Sequence, residues 1–230
     1  MKLGGWQRCS LIDFPGKVSA VLFTEGCSFR CPFCHNPGLV LPNQFGGSAL
    51  SEEEVLEFLK RRQGKLDGVV ISGGEPTIHA DLPDFIRAIK ALGFAIKLDT
   101  NGDHPKIIEE LVQENLVDYW AMDRKASLPR YEKISGVKLN PQDIVTSSNL
   151  IMHSGVPYEF RTTVVRELHP KEEAELIAQE IKGADRYVLQ QFRPLITLDA
   201  KLQTATPYSD EEMDDLCESA RPFVKECSWR

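Results

Sequence analysis

The chain alternates between short apolar runs and longer amphipathic stretches. The run at 18–24 is mostly apolar and has the length of a strand, whereas the stretch at 105–115 repeats apolar residues on one helical face. The predicted strands are 18–24, 67–72, 94–98, 118–122, 158–165 and 186–191. The predicted helices are 51–62, 81–92, 105–115, 140–153 and 171–182, and a final helix begins after Ser209. The pattern therefore predicts six strands joined by helical crossovers.

Such alternation is typical of a parallel sheet with helices packed outside it. Two α/β architectures satisfy it, a partial (β/α)6 barrel of parallel strands and a doubly wound open sheet. In either one, the loops that follow the strands meet at one edge, where function gathers in barrels of this kind. The residues that follow each predicted strand are therefore the candidates for a functional site.

Composition narrows the range of functions. Of the 230 residues, 42% are hydrophobic and 27% are charged, which is typical of a globular chain. The net charge of −7 disfavours a nucleic-acid partner, since phosphate-backbone binders carry a basic surplus. No stretch approaches the roughly 20 apolar residues of a membrane span, and the first residues lack a secretory apolar segment. We expect a cytoplasmic protein that binds neither nucleic acid nor membrane.

Three of the six cysteines fall within eight residues, directly after the first predicted strand. Cys27, Cys31 and Cys34 have the spacing Cys-x3-Cys-x2-Cys. Thiolates are ligands for iron–sulfur clusters and for zinc, and three protein ligands leave one corner of a [4Fe–4S] cube open. The alternative is a zinc knuckle completed by His35 or a remote cysteine.

A second motif, Ser-Gly-Gly-Glu-Pro-Thr at 72–77, follows the second predicted strand. Gly73 and Gly74 permit a close backbone approach, and the Glu75 carboxylate can accept hydrogen bonds from an ammonium group. Taken alone, the segment is also compatible with an ordinary turn between a strand and a helix.

Together the two motifs resemble those of the radical S-adenosylmethionine (SAM) superfamily. Its Cys-x3-Cys-x-aromatic-Cys pattern is matched by the three cysteines and Phe33, and its Gly-Gly-Glu segment also follows the second strand. Further runs resemble the activating proteins of anaerobic ribonucleotide reductase. These runs are 10–16, 31–37, 98–102 and 190–194. The resemblance implies a partial (β/α)6 barrel and one radical SAM domain over 1–230, with a core at about 17–194 and an extension at 195–230.

The resemblance also implies roles for residues at the predicted strand ends. The three cysteines would hold a [4Fe–4S] cluster, and SAM would bind its open iron. The residues expected to contact SAM are Phe33 at adenine, His35 through its backbone, Gly73, Gly74 and Glu75 at the ammonium group, Thr100 and Asn101 at the ribose, Lys125, and Arg161 at the carboxylate.

Asp99 and Asp123 resemble an aspartate pair that helps to bind a monovalent cation beside SAM in pyruvate formate-lyase activases. Oxygen ligands suit such a hard cation. The alternative is that Asp123 pairs with Lys125 or Arg161.

The function implied by the resemblance is reductive cleavage of SAM to form a glycyl radical on a partner enzyme. The expected partner is an anaerobic ribonucleoside-triphosphate reductase, and the expected electron donor is a flavodoxin or ferredoxin. Two alternatives remain: a radical SAM enzyme acting on a small molecule or another peptide, and a zinc-binding interaction module without catalysis.

Overall fold

All strands of the computed structural model, which describes residues 1–41 and 50–230, belong to one sheet. Their spatial order is their order along the chain. The strands are β1 (Leu3–Ser10), β2 (Ser19–Thr24), β3 (Gly68–Gly73), β4 (Ala95–Thr100), β5 (Tyr119–Asp123), β6 (Tyr158–Val164), β7 (Tyr187–Gln191) and β8 (Cys227–Trp229). Strands β2 to β8 are parallel, and β1 pairs with β2 in the antiparallel sense.

A helix of at least nine residues lies in each crossover between successive parallel strands. The helices are α1 (Pro37–Val40), α2 (Glu52–Lys60), α3 (Leu82–Ala91), α4 (Pro105–Gln113), α5 (Tyr131–Ser135), α6 (Pro141–Met152), α7 (Glu172–Glu180) and α8 (Asp210–Ala220). None of these helices, within the described ranges, is long and apolar enough to cross a membrane.

Local signals in the sequence explain where several helices begin. Ser51 and Glu54 form a reciprocal capping box at α2, and Ser209 and Glu212 form the same motif at α8. Such boxes satisfy backbone N–H groups that have no partner inside the helix. Both helix starts were predicted from the sequence, and both are confirmed.

The predicted fold class is confirmed, because a mostly parallel sheet carries helices in its crossovers. Among the described strands, no pairing joins β8 to β1, so the sheet stays open as a partial barrel. Apolar side chains of the central strands form the core, with Ile71, Leu98 and Trp120 buried almost completely. The carboxyl ends of the strands therefore meet at one edge.

The prediction of six strands is wrong, because the sheet contains two more. Strand β1 carries two glycines and a polar stretch in place of an apolar run, and β8 is only three residues long. The segment 195–230, expected as an extension of the core, contributes β8 to the same sheet and α8 to the crossover between β7 and β8.

Candidate functional site

A cavity opens at the carboxyl edge of the sheet. Every residue that the sequence predicted for the site lines this cavity: Cys27, Cys31, Phe33, Cys34, His35, Gly73, Gly74, Glu75, Asp99, Thr100, Asn101, Asp123, Lys125 and Arg161. They come from the ends of β2 to β6, so the parallel topology brings together residues that are far apart in the chain. Their individual roles toward a ligand stay predictions.

The three cysteines lie on the loop between β2 and α1. The backbone N–H of Cys34 donates to the Cys31 carbonyl at 3.0 Å, which closes a tight turn between two of them. The Sγ of Cys27 accepts the Phe29 N–H at 3.3 Å. The loop is also held to helix α5, because the backbone N–H of Arg30 donates to the Ser135 carbonyl at 2.7 Å.

Burial controls the ionisation of these thiols. It raises the pKa of Cys27 to about 12 and that of Cys31 to about 11. A buried thiolate is costly without positive charge beside it, and a metal centre supplies such charge. The thiols therefore have the chemistry of ligands that become thiolates when a metal group binds.

The Gly-Gly-Glu segment lies against the start of the cysteine loop. Gly74 N–H donates to the Thr24 carbonyl at 2.9 Å, and Glu75 N–H donates to the Gly26 carbonyl at 2.8 Å. A Cβ on Gly74 would stand 1.8 Å from the Gly26 oxygen, so no side chain fits there. The close backbone approach expected of Gly74 is thus made to the protein's own cysteine loop.

Glu75 connects the end of β3 to the end of β4. Its Oε1 accepts from the Thr77 N–H at 3.1 Å, from the Thr77 hydroxyl at 2.6 Å and from the Thr100 hydroxyl at 2.7 Å. Its Oε2 accepts the Asn101 N–H at 2.6 Å. Burial raises the pKa of this carboxyl, although these hydrogen bonds oppose the shift. The carboxylate thereby fixes the positions of Thr100 and Asn101.

Asp99 and Asp123 face cationic side chains. Arg161 reaches both carboxylates, with Nε 2.8 Å from Asp123 Oδ1 and Nη1 3.3 Å from Asp99 Oδ2. Lys125 donates to Asp123 Oδ2 at 2.9 Å, and Lys97 donates to Asp99 Oδ1. The pairing of Asp123 with Lys125 and Arg161, left open by the sequence, is therefore present. Both carboxylates are therefore compensated by cationic side chains of the chain itself, and a monovalent cation at this pair stays a prediction.

Two aromatic contacts support the cysteine loop. The ring of Phe33 packs edge-on against His169 at 5.7 Å, and the ring of His35 stacks on Phe192 at 5.4 Å. His169 is buried, accepts the Val165 N–H on Nδ1 at 3.0 Å and faces the Lys125 carbonyl with Nε2 at 2.8 Å. Nδ1 must be an acceptor, so the proton is on Nε2 and the ring is neutral.

Several residues of the site were missed by sequence reasoning. Ser72, Thr163 and Gln190 line the cavity, and Lys97 contacts Asp99. The first three stand at or near the carboxyl ends of strands, a position that could have identified them. Lys97 interrupts the otherwise apolar start of β4, and a charge at such a position is an equally usable signal.

This geometry defines an α/β protein of the partial-barrel class with a cysteine-lined cavity. The sequence model of the Radical SAM superfamily matches residues 21–180. The chain belongs to this superfamily, whose enzymes use a [4Fe–4S] cluster and SAM. Family membership decides against the alternative of a zinc-binding module without catalysis.

Among curated proteins, the chain is similar to two kinds of activating enzyme. It is 34% identical over 230 residues to the "putative glycyl-radical enzyme activating enzyme" of Methanocaldococcus jannaschii, covering 96% of this chain and 92% of the relative. It is 38% identical over 101 residues to the pyruvate formate-lyase-activating enzyme of Clostridium pasteurianum, covering 42% of this chain and 41% of the relative.

Solved structures share the fold. SuiB of Streptococcus suis, determined with S-adenosylmethionine bound, superposes with a TM-score of 0.66 at 16% identity, covering 91% of this chain and 51% of that one. A domain of the pyruvate-formate lyase-activating enzyme of Bacteroides vulgatus gives a TM-score of 0.56 at 15% identity, covering 71% of this chain and 98% of that one.

The donor set fits the family's cofactors. All three thiols line the cavity, and Cys27 receives a backbone N–H of the kind that stabilises a thiolate ligand. The cavity continues to Glu75, Thr100 and Arg161, which supply an anion, a hydroxyl and a cation. Within residues 1–41 and 50–230, no three His, Cys, Asp or Glu side chains are grouped closely enough for a single metal ion.

Proposed function

We propose that this protein activates a glycyl radical enzyme, and that the partner is an anaerobic ribonucleoside-triphosphate reductase. The observation that carries the proposal is the 34% identity to an activating enzyme over 96% of the chain. The choice of the reductase is supported by the sequence runs described above. The electron donor would be a flavodoxin or a ferredoxin.

Within this proposal, the cysteines hold the cluster, while other side chains orient SAM. The Arg161 guanidinium can receive a carboxylate, because only part of its five N–H donors is used by the aspartates. Thr100 and Asn101, held in place by Glu75, present polar groups for the ribose. When bound, a reduced cluster with SAM supplies a radical that removes hydrogen from a carbon centre.

The walls of the cavity also protect the chemistry. Phe33 is buried beside Cys34 and presents an apolar surface for adenine. Cys31 is buried as well, so its thiolate is shielded from water. Exclusion of water limits side reactions of a reactive species and strengthens the electrostatic contacts around it.

The first test compares Cys31→Ala with Cys9→Ala after anaerobic reconstitution. Cys31 lines the cavity, whereas Cys9 is exposed on β1. We expect Cys31→Ala to lose cluster iron and SAM cleavage, while Cys9→Ala retains both. Iron and sulfide analysis with quantification of 5′-deoxyadenosine measures the result. Retention of wild-type iron and cleavage by Cys31→Ala would contradict the assignment of the cluster.

The second test addresses the partner. Reconstituted protein, SAM and a reductant are combined with an anaerobic ribonucleoside-triphosphate reductase, and glycyl radical is measured by electron paramagnetic resonance. We expect a radical signal on the reductase that requires the intact activating protein. SAM cleavage that never produces this signal with such a reductase would show that the partner is wrong.

A second candidate is a radical SAM enzyme for a small molecule. It is supported by 29% identity over 167 residues to the 7-carboxy-7-deazaguanine synthase of Hyperthermus butylicus, covering 72% of this chain and 65% of the relative. SAM cleavage stimulated by a small molecule, without a glycyl radical on any reductase, would favour this candidate.

A further inference from the structure

Lys97 is a buried lysine whose charge lies inside the partial barrel. It stands two residues before Asp99 on β4, so the two side chains share one face of the strand. The Lys97 side chain is only 4% exposed, and its ammonium group donates to Asp99 Oδ1. Burying an ammonium group requires compensation by an anion, which Asp99 supplies.

The surrounding contacts use both oxygens of each aspartate. Asp99 Oδ2 accepts from the Ser72 hydroxyl at 3.0 Å and from Arg161 Nη1 at 3.3 Å. The oxygens of Asp123 accept from Arg161 at 2.8 Å and from Lys125 at 2.9 Å. Burial alone would raise the pKa of Asp99, but the charges of Arg161 and Lys97 outweigh it and lower the pKa.

The charge balance of this group is positive without any added ion. Three cationic side chains, Lys97, Lys125 and Arg161, face two carboxylates. Glu159, 4.0 Å from Arg161, is a further anion beside the group, and it also receives Arg230 at 3.3 Å. An alkali cation between the aspartates would have to displace one of these tethered cations and would meet like charge.

We propose that Lys97 and Arg161 act as built-in cations that replace a dissociable alkali ion between Asp99 and Asp123. The tethered ammonium and guanidinium groups are held by the fold, so they lose no translational freedom when the site forms. The site then keeps the two aspartates oriented in every salt. Lys97 is thus a positioning residue for the cavity of the proposed function, and this role does not depend on the partner.

The test measures salt dependence in wild type and Lys97→Met. Thermal unfolding of the protein and SAM binding to the reconstituted protein are compared in sodium, potassium and tetramethylammonium chloride at equal ionic strength. Tetramethylammonium is too large to sit between two carboxylates. We expect the wild type to behave alike in all three salts.

Lys97→Met removes the charge and keeps an unbranched apolar stem. We expect its melting temperature to be lowest in tetramethylammonium and to rise with sodium or potassium. Its SAM affinity should fall on the order of tenfold in tetramethylammonium and recover with an alkali ion, because Asp99 has lost a buried partner. Lys90→Met is the matched control, since Lys90 pairs with Asp118 at 3.0 Å outside the cavity.

Two results would overturn the proposal. One is a wild-type protein whose SAM affinity or melting temperature is higher in sodium or potassium chloride than in tetramethylammonium chloride. The other is a folded Lys97→Met, or its milder form Lys97→Gln, that shows no ion dependence beyond that of Lys90→Met. If neither Lys97 variant folds, the wild-type comparison still decides between a built-in cation and an exchangeable one. Glycyl radical yield is not used, so failure here is separable from failure of the proposed function.

Discussion

At the scale of single residues, Gly74 determines how closely two loops of the site approach each other. The position of its missing Cβ, 1.8 Å from the Gly26 oxygen, is occupied by backbone of the cysteine loop. In Gly74→Ala one of the two loops must move, and the cysteines move with it. We expect a loss of about 1–3 kcal/mol in the free energy of unfolding, as for overpacked sites. Iron content after reconstitution should fall as well.

Gly5→Ala is the control for this substitution. Gly5 lies on β1, and a Cβ there would meet no heavy atom within 4 Å. We expect its free energy of unfolding to stay within about 0.5 kcal/mol of wild type and its iron content to be unchanged. Urea unfolding and iron analysis measure both variants. A Gly74→Ala protein that binds iron like wild type would show that the cysteine loop tolerates the shift.

The residues of the candidate site could be recognised from the spacing of the motifs, whereas the contacts between them could not be predicted. The three thiols, Gly74 and Glu75 are all recognisable as motif positions in the sequence. The donors to Glu75 come from Thr77 on its own loop and from Thr100 and Asn101 one strand away. Such contacts depend on strand neighbours and register, which a local pattern does not specify.

At the scale of elements, His169 ties the loop after β6 to the end of β5. Its Nδ1 accepts the Val165 N–H, and its Nε2 donates to the Lys125 carbonyl. Protonation of Nδ1 would turn this acceptor into a donor that faces the Val165 N–H, and the hydrogen bond between them would be lost. Burial lowers its pKa. Below pH about 6.5 the unfolded chain takes up a proton that the folded ring resists. We therefore expect stability to fall as the pH falls through this range.

His169→Gln tests this expectation. Glutamine keeps one donor and one acceptor but does not titrate in this range. The free energy of unfolding, measured by urea titration above and below pH about 6.5, should depend less on pH in the variant than in wild type. His153→Gln, at the exposed end of α6, is the control and should retain the wild-type dependence. An unchanged slope in His169→Gln would assign the pH dependence to other groups, such as His35 and His79, whose pKa values are also lowered by partial burial.

Strands with a strong apolar pattern could be predicted from the sequence, whereas strands that form only because a neighbouring element pairs or packs with them could not. The six apolar runs that became β2 to β7 were found within one to two residues, because their burial shows in their composition. Strand β1 lacks that pattern. Its Trp6 ring packs against the Phe58 ring of α2 with centroids 4.9 Å apart, a contact between residues far apart in the chain that the local sequence does not reveal. Strand β8 exists because β7 offers it a free edge.

At the scale of the whole molecule, two pairs of exposed apolar residues lie at opposite ends of the strands. Leu195 and Ile196 are 69% and 65% exposed, and Leu11 and Ile12 are 75% and 89% exposed. The first pair is on a loop that returns to the cysteine loop, since Leu198 N–H donates to the Cys34 carbonyl at 3.0 Å. The second pair lies between β1 and β2, at the amino ends of the parallel strands.

Under the proposed function, a partner that delivers a glycine to the cavity approaches the carboxyl edge of the sheet, where Leu195 and Ile196 are exposed beside the cysteine loop. Replacing both with serine removes apolar contact from that approach without touching the cavity wall. We expect glycyl radical formation on the reductase to slow on the order of tenfold, the size of a lost interface anchor. SAM cleavage without a partner should stay at the wild-type rate.

The doubly substituted Leu11→Ser and Ile12→Ser protein serves as the matched control, because it loses an equally exposed apolar pair at the far end. Radical formation is measured by electron paramagnetic resonance, and uncoupled cleavage by 5′-deoxyadenosine release. If the partner approaches from the carboxyl ends of the parallel strands, only the change at 195 and 196 slows radical formation. Equal slowing in both variants, or in the control alone, would place the partner on another face and would separate the docking surface from the edge where the cavity opens.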